Sequence, residues 1–148
     1  MTPFQVITIG RKVGNIYQCL AGPICSRHGI NQTAFDILMF CANNPEYNTA
    51  RDICAMRGIK SGIVSAAVEK LIHKGLLCRE DDPRDRRVHR LVPTQKAQPI
   101  IQDGRLMQQH FGSILRHGIT EEEEAVLQSI TDKFMTNIDT FEQEKENQ

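Results

Sequence analysis

The sequence predicts a mainly α-helical fold carrying one small β-hairpin. Three observations predict it: apolar residues recur at helical spacing over most of the chain, Gly, Pro or Asn punctuates those stretches, and only two short runs, 76–79 and 88–92, read as strands. With 148 residues, 40% of them hydrophobic, the chain can bury one modest core.

The first helix carries Ile9, Val13, Ile16, Tyr17 and Leu20 on one stripe, and Gly22-Pro23 is expected to end it. Asn31 caps a second helix bearing Phe35, Ile37, Leu38 and Phe40, which stops before Asn43-Asn44-Pro45. Thr49-Ala50-Arg51-Asp52 has the capping-box form and opens a short third helix with Ile53 and Met56 expected inward. Gly58 stops it. After the turn Gly58–Lys60, a fourth helix runs over Ser61–His73, with Ile63, Val64, Ala67, Val68, Leu71 and Ile72 expected on its buried side and Gly75 as its stop. Two short helices joined by a short glycine-containing turn have the form of a helix-turn-helix.

Leu76–Arg79 and Val88–Val92 read as two short strands, with polar Glu80–Arg87 as an extended hairpin tip, a wing. A helix over Gln98–His117 follows, carrying Ile101, Met107, Phe111, Ile114 and Leu115. Thr120 and Glu123 form another capping box, opening a last helix to Phe141 with Leu127, Ile130, Phe134, Ile138 and Phe141 on one stripe. The expected organisation is one continuous compact unit: a winged helix-turn-helix over 31–97, flanked by a helical dimerisation region from 1–30 and 98–148.

Charge is balanced overall, eighteen bases against eighteen acids, so net charge names no partner. Its distribution is informative. Residues 48–96 hold eleven bases against six acids, whereas 119–148 hold two bases against nine acids, which points to one electrostatic footprint in the middle of the chain. Five cysteines, an odd number without a CxxC, and the absence of a charged start followed by a long apolar run lead to an expectation of reduced thiols and a cytoplasmic protein. No apolar stretch reaches the ~20 residues of a membrane span. No phosphate loop, nucleophile elbow or dinucleotide fingerprint is present, so no enzyme is expected, and neither a cofactor nor a metal. The Glu121–Glu124 run is explained by the preference of helix N-termini for negative charge.

An α-helix fits the major groove of B-DNA, where every base pair shows a distinct donor and acceptor pattern. The exposed polar face of the fourth helix would be Lys60, Ser61, Gly62, Ser65 and Glu69. The wing concentrates Arg84, Arg86 and Arg87, whose guanidinium groups suit phosphates and a narrow minor groove. Helical stripes at both chain ends exceed what the middle of the chain can cover, so a two-fold pairing through Ile9, Val13, Ile16, Leu127, Ile130, Phe134 and Ile138 is the economical burial.

From Asn31 to Lys96 the sequence resembles the MarR family, the multiple-antibiotic-resistance-regulator type of bacterial repressor. Asp82-Pro83-Arg84-Asp85-Arg86-Arg87 is similar to that family's wing signature, followed at the right distance by Leu91–Thr94, and Leu71–Leu77 resembles the end of its recognition helix. The resemblance implies a homodimer that binds a pseudo-palindromic double-stranded DNA operator, with Arg86 in the minor groove and Asp85 orienting neighbouring arginines. It also implies a repressor released by a small, aromatic or anionic, effector. This chain departs from the pattern at Lys60, which replaces a usual Ser or Thr cap, and at Gly62, Ala66 and Ala67, which thin out the polar side chains of the reading helix. Pro93, Ala97 and Pro99 depart at the join between wing and following helix.

Two alternatives keep the fold and change the signal. Cys25-x-x-His28 with His110 or His117 would offer thiolate and imidazole to zinc, but it is half a motif, and the closely spaced histidine pair of the family's zinc-sensing branch is absent. Cys19 or Cys25 would be the thiol of an oxidation sensor, although the family's usual sensor stands near the position of Ile9. A third alternative is a winged helix that binds protein instead of DNA.

Overall fold

A computed structural model describes residues 1–147. Its elements are α1 (Pro3–His28), α2 (Gln32–Asn43), a 3₁₀ turn (Pro45–Tyr47), α3 (Ala50–Arg57), α4 (Ser61–His73), β1 (Leu77–Asp81), β2 (His89–Pro93), a second 3₁₀ turn (Gln95–Ala97), α5 (Gln98–Arg116) and α6 (Glu121–Glu146). The chain forms two compact units, Met1–Phe111 and Gly112–Gln148, whose boundary falls within α5.

Capping places most of these elements. Asn31 accepts the Ala34 N–H, and the reciprocal capping boxes Thr49/Asp52 and Thr120/Glu123 form as their spacing requires. A third box, Thr2 with Gln5, opens α1. Gly58 ends α3 at φ +62, a left-handed conformation that lets the chain reverse within the short turn before α4.

The first unit is built around α2. Phe35, Ile37, Leu38 and Met39 are fully buried, joined by Ile53 of α3, Val64 and Leu71 of α4, Leu77 of β1 and Ile101 of α5. Packing of α4 on α2 and of α3 on α4 holds the helix-turn-helix as a block. The antiparallel pair β1–β2 runs from Leu77 opposite Pro93 to Asp81 opposite His89. It therefore reaches two residues further into the expected tip than Arg79.

Three expectations are corrected. Gly22-Pro23 does not end α1: Pro23 lies inside the helix, and the end comes at Gly29, in the left-handed conformation at φ +65. The helix continues because Ala21, Ile24 and Cys25 bury against the core on either side of the proline, which outweighs the backbone hydrogen bond that proline removes. Met56 and Ile63 were expected inward and are 56% and 50% exposed. Each lies beside the true inward direction of its helix, which Ile53 in α3 and Val64, Ala67, Val68 and Leu71 in α4 already occupy.

The join between α1, α2 and α5 is tight. His28 Nε2 and Arg27 Nη1 lie 3.0 and 2.9 Å from Asp103 Oδ2. The hydrogen bond to His28, with Arg27 alongside, holds the Asp103 carboxyl below the usual carboxylate range. Gln108 donates to the Tyr17 hydroxyl at 2.9 Å, and the Tyr17 and Phe111 rings meet edge to face at 5.3 Å. Gly104 is required here, because a Cβ at this position would overlap Sδ and Cε of the buried Met39. Gly104→Ala should therefore lower stability by about 1–3 kcal/mol through overpacking, despite alanine's higher helix propensity. In a Met39→Ala background the same change should be neutral or stabilising; urea unfolding of the four proteins checks the sign.

Candidate nucleic-acid interface

The reading helix is positioned by what it buries. Val64, Ala67, Val68 and Leu71 of α4 face the core, so at 100° per residue the opposite, outward line passes through Gly62, Ala66 and Glu69. All five residues expected on this face, Lys60, Ser61, Gly62, Ser65 and Glu69, are exposed, with Ser61 and Ser65 on its flank. The centre of the face is nearly flat, a glycine followed by an alanine methyl. Lys60 stands at the N-cap with no side-chain cap bond. Glu69 is paired with Arg79 of β1, which brings a guanidinium from the wing strand to the outward side of the helix.

The wing tip is shaped by two successive aspartate turns. Asp82 Oδ1 accepts the Arg84 N–H at 2.8 Å, and Asp85 Oδ1 accepts the Arg87 N–H at 3.0 Å and Arg87 Nε at 3.3 Å. Asp82 N–H to Val88 O and Val88 N–H to Asp85 O, both 3.0 Å, close the loop. Asp85 thus holds Arg87, while Arg84 and Arg86 are exposed to solvent. The result is a rigid tip carrying three cations.

Residues that local reasoning passed over hold this tip. Asn48, between the first 3₁₀ turn and α3, is buried at 5% exposure, and Arg90 of β2 lies between it and Asp82. The hydrogen bond from the Arg84 N–H, reinforced by Arg90, keeps the Asp82 carboxyl below the usual range. Asp82 was visible within the wing motif, but nothing local ties Arg90 to Asn48, 42 residues away.

A cleft of about 600 Å³ lies beside the start of α4, lined by Gln18, Gln32, Asp36, Arg57, Lys60 and Ile63. Asp36 accepts from Gln32 at 2.9 Å and lies 3.6 Å from Arg57; burial pushes its carboxyl up.

The candidate zinc and thiol residues are placed as follows. Cys25 is buried on α1, where burial raises its thiol, and His28 is bonded to Asp103. Among the described residues no group of three or more His, Cys, Asp or Glu side chains gathers as a metal site. Cys19 is the exposed cysteine, Cys54 and Cys78 are half-buried, and Cys41 is buried, its thiol pushed up to about 12.

A helix-turn-helix whose reading face is bare and whose hairpin presents arginines defines a winged-helix DNA-binding protein. Residues 28–88 match the MarR family profile, and this region is that of a MarR-family transcription regulator, which is not an enzyme family. Solved structures share the fold. A MarR transcriptional regulator from Methanosarcina mazei Go1 is 22% identical, with TM-score 0.68 over 90% of this chain and 98% of that one. CouR from Rhodococcus jostii RHA1, bound to p-coumaroyl-CoA, is 20% identical, with TM-score 0.72 over 90% of this chain and 88% of that one. Apo MarR from E. coli is 20% identical, with TM-score 0.62 over 90% and 97%. No curated protein matches the chain. Among the described residues no helix is long and apolar enough to cross a membrane.

With its pKa near 12, Cys41 is thiolate in only about one molecule in 10⁴ at pH 8. Iodoacetamide on the native protein should label Cys19 first and leave Cys41 unmodified until denaturant is added. Peptide mass spectrometry showing Cys41 labelled as fast as Cys19 would mean that the buried face of α2 is open.

Proposed function

We propose that the chain is a homodimeric cytoplasmic repressor that binds a pseudo-palindromic double-stranded operator and is released by a small aromatic or anionic ligand. The observation that carries the DNA reading is the bare outward face of α4 on the same compact unit as the exposed arginines of the wing. In this reading α4 enters the major groove, where Gly62 and Ala66 allow close approach and Lys60 and Ser65 reach base edges or phosphates. Arg86 enters the adjacent minor groove, and Arg84 and Arg87 meet phosphates.

The dimer reading rests on the apolar residues left uncovered. Leu127, Ile130, Phe134 and Ile138 are 42–52% exposed and α6 buries nothing, while Ile9 on α1 is 53% exposed and Val13 and Ile16 are half-buried. A second copy supplies identical stripes, so two-fold pairing covers both ends at once. Ligand release is supported by the cleft beside Lys60, whose occupant would lie against the start of the reading helix. That CouR, of similar fold, binds p-coumaroyl-CoA fits an aromatic, anionic effector class.

Arg86→Ala should weaken binding to a duplex selected from a random pool by about 1 kcal/mol or more, with folding and dimerisation intact. Arg86→Lys should restore part of this, because a narrow minor groove favours guanidinium over the more strongly hydrated ammonium. Fluorescence anisotropy at fixed salt reads both, and wild-type affinity for Arg86→Ala would reduce the wing to a solvated hairpin. Ile130→Asp places a charge in the proposed dimer seam, so sedimentation at micromolar concentration should show dissociation or misfolding. A folded, monomeric wild type in the same experiment would overturn the dimer.

A further inference from the structure

The wing arginines sit at the end of a hairpin with five residue pairs, and an isolated two-stranded hairpin is marginally stable in water. Its angle to the reading helix must be set by something outside it. The structure offers one connected path. Asn48 O accepts the Leu91 N–H at 2.9 Å and Asn48 Nδ2 donates to Leu91 O at 3.1 Å, which adds a third chain segment to the edge of β2. Asn48 Oδ1 then accepts from Arg90 Nη1 at 3.1 Å, and the same nitrogen donates to Glu46 O at 3.3 Å. On its other side Arg90 places Nε and Nη2 2.9 and 2.8 Å from Asp82 Oδ2, and the second Asp82 oxygen holds the Arg84 N–H.

This path runs from the turn before α3 to the tip of the wing. Its side chains are sheltered: Asp82 is 11% exposed and Arg90 34%. The guanidinium is a planar fork whose donors point in fixed directions, so it can hold the turn and the tip at a defined separation; an ammonium, a point charge on a flexible stem, cannot.

We propose that Arg90, gripped between Asn48 and Asp82, is a positioning residue for DNA binding: it sets the wing's angle to the helix-turn-helix and delivers Arg86 to the groove without touching DNA. The proposal rests on the DNA-binding reading above. It predicts three things that a residue contacting phosphate, or one merely needed for folding, would not produce together. Arg90→Gln and Arg90→Lys should bind the selected duplex at least about tenfold more weakly, while the slope of log K against log salt stays that of wild type, because no phosphate contact is removed. Arg86→Ala should lower that slope by about one. The double variant Arg86→Ala/Arg90→Gln should bind about as weakly as Arg86→Ala alone, since the wing then has no minor-groove cation left to deliver.

Amide hydrogen exchange of the free protein keeps the test independent of DNA. In Arg90→Lys, exchange over 82–90 should accelerate while α2 and α4 keep wild-type protection. Wild-type affinity in both Arg90 variants, a salt slope reduced by one, additive losses in the double variant, or unchanged wing exchange would each overturn the positioning role. Wild-type affinity in Arg86→Ala would instead strike the wing contact of the proposed function, and the exchange result would still decide whether Arg90 holds the wing.

Discussion

Everything functional in this molecule depends on the burial of one side of α4 against α2. Val64 and Leu71 are fully buried against a helix whose own Phe35, Ile37, Leu38 and Met39 are sealed from solvent. Because the burial is on one side only, it fixes the rotation of the helix, and the rotation decides which residues reach outward. The bare Gly62–Ala66 face is therefore a consequence of core packing. A shift of one residue in that packing would turn the face by 100° and present Ile63 in its place.

The wing solves a different problem. Hydrophobic burial reaches the hairpin only at Leu77 and Leu91, near its base, and beyond that point polar bonds carry the shape. Asp82 and Asp85 organise the tip through bonds to backbone N–H groups two residues on, so they hold a cation-rich loop together while partly neutralising it. Asn48 supplies a buried amide whose donor and acceptor are both satisfied, as a polar group removed from water requires. A solvent-facing, positively charged tip can be rigid because its rigidity comes from these short-range bonds and not from an apolar core.

The ends of the chain obey the opposite logic. Their helices are well capped, α1 by Thr2 with Gln5 and α6 by Thr120 with Glu123, yet α6 buries no residue and α1 only Ala21, Ile24 and Cys25. Local signals are strong enough to make these helices, and they leave an apolar stripe that the chain does not itself cover. The acidic excess of 119–148 stands apart from the basic segment 48–96, which keeps the negative charge of the last helix away from the residues proposed to meet phosphate.

Much of this was legible in the sequence. The caps at Asn31, Thr49 and Thr120, the stop at Gly58, the helical stripe of α4 and the Asp82–Arg87 loop each depend on residues within a few positions of one another, and such short-range chemistry can be read from order alone. The wing motif also pointed to the family before any coordinate did. Other features were decided only when the whole chain packed. Pro23 remains within a helix because the core takes the residues on both sides of it, and Met56 and Ile63 are outward because nearer neighbours fill the inward direction. Arg90 meets Asn48 across 42 residues because α2, α4 and β2 bring the two together. Composition and periodicity specify which residues want burial or a partner; which partner each finds depends on the free energy of the assembled core, and that is a property of the tertiary structure.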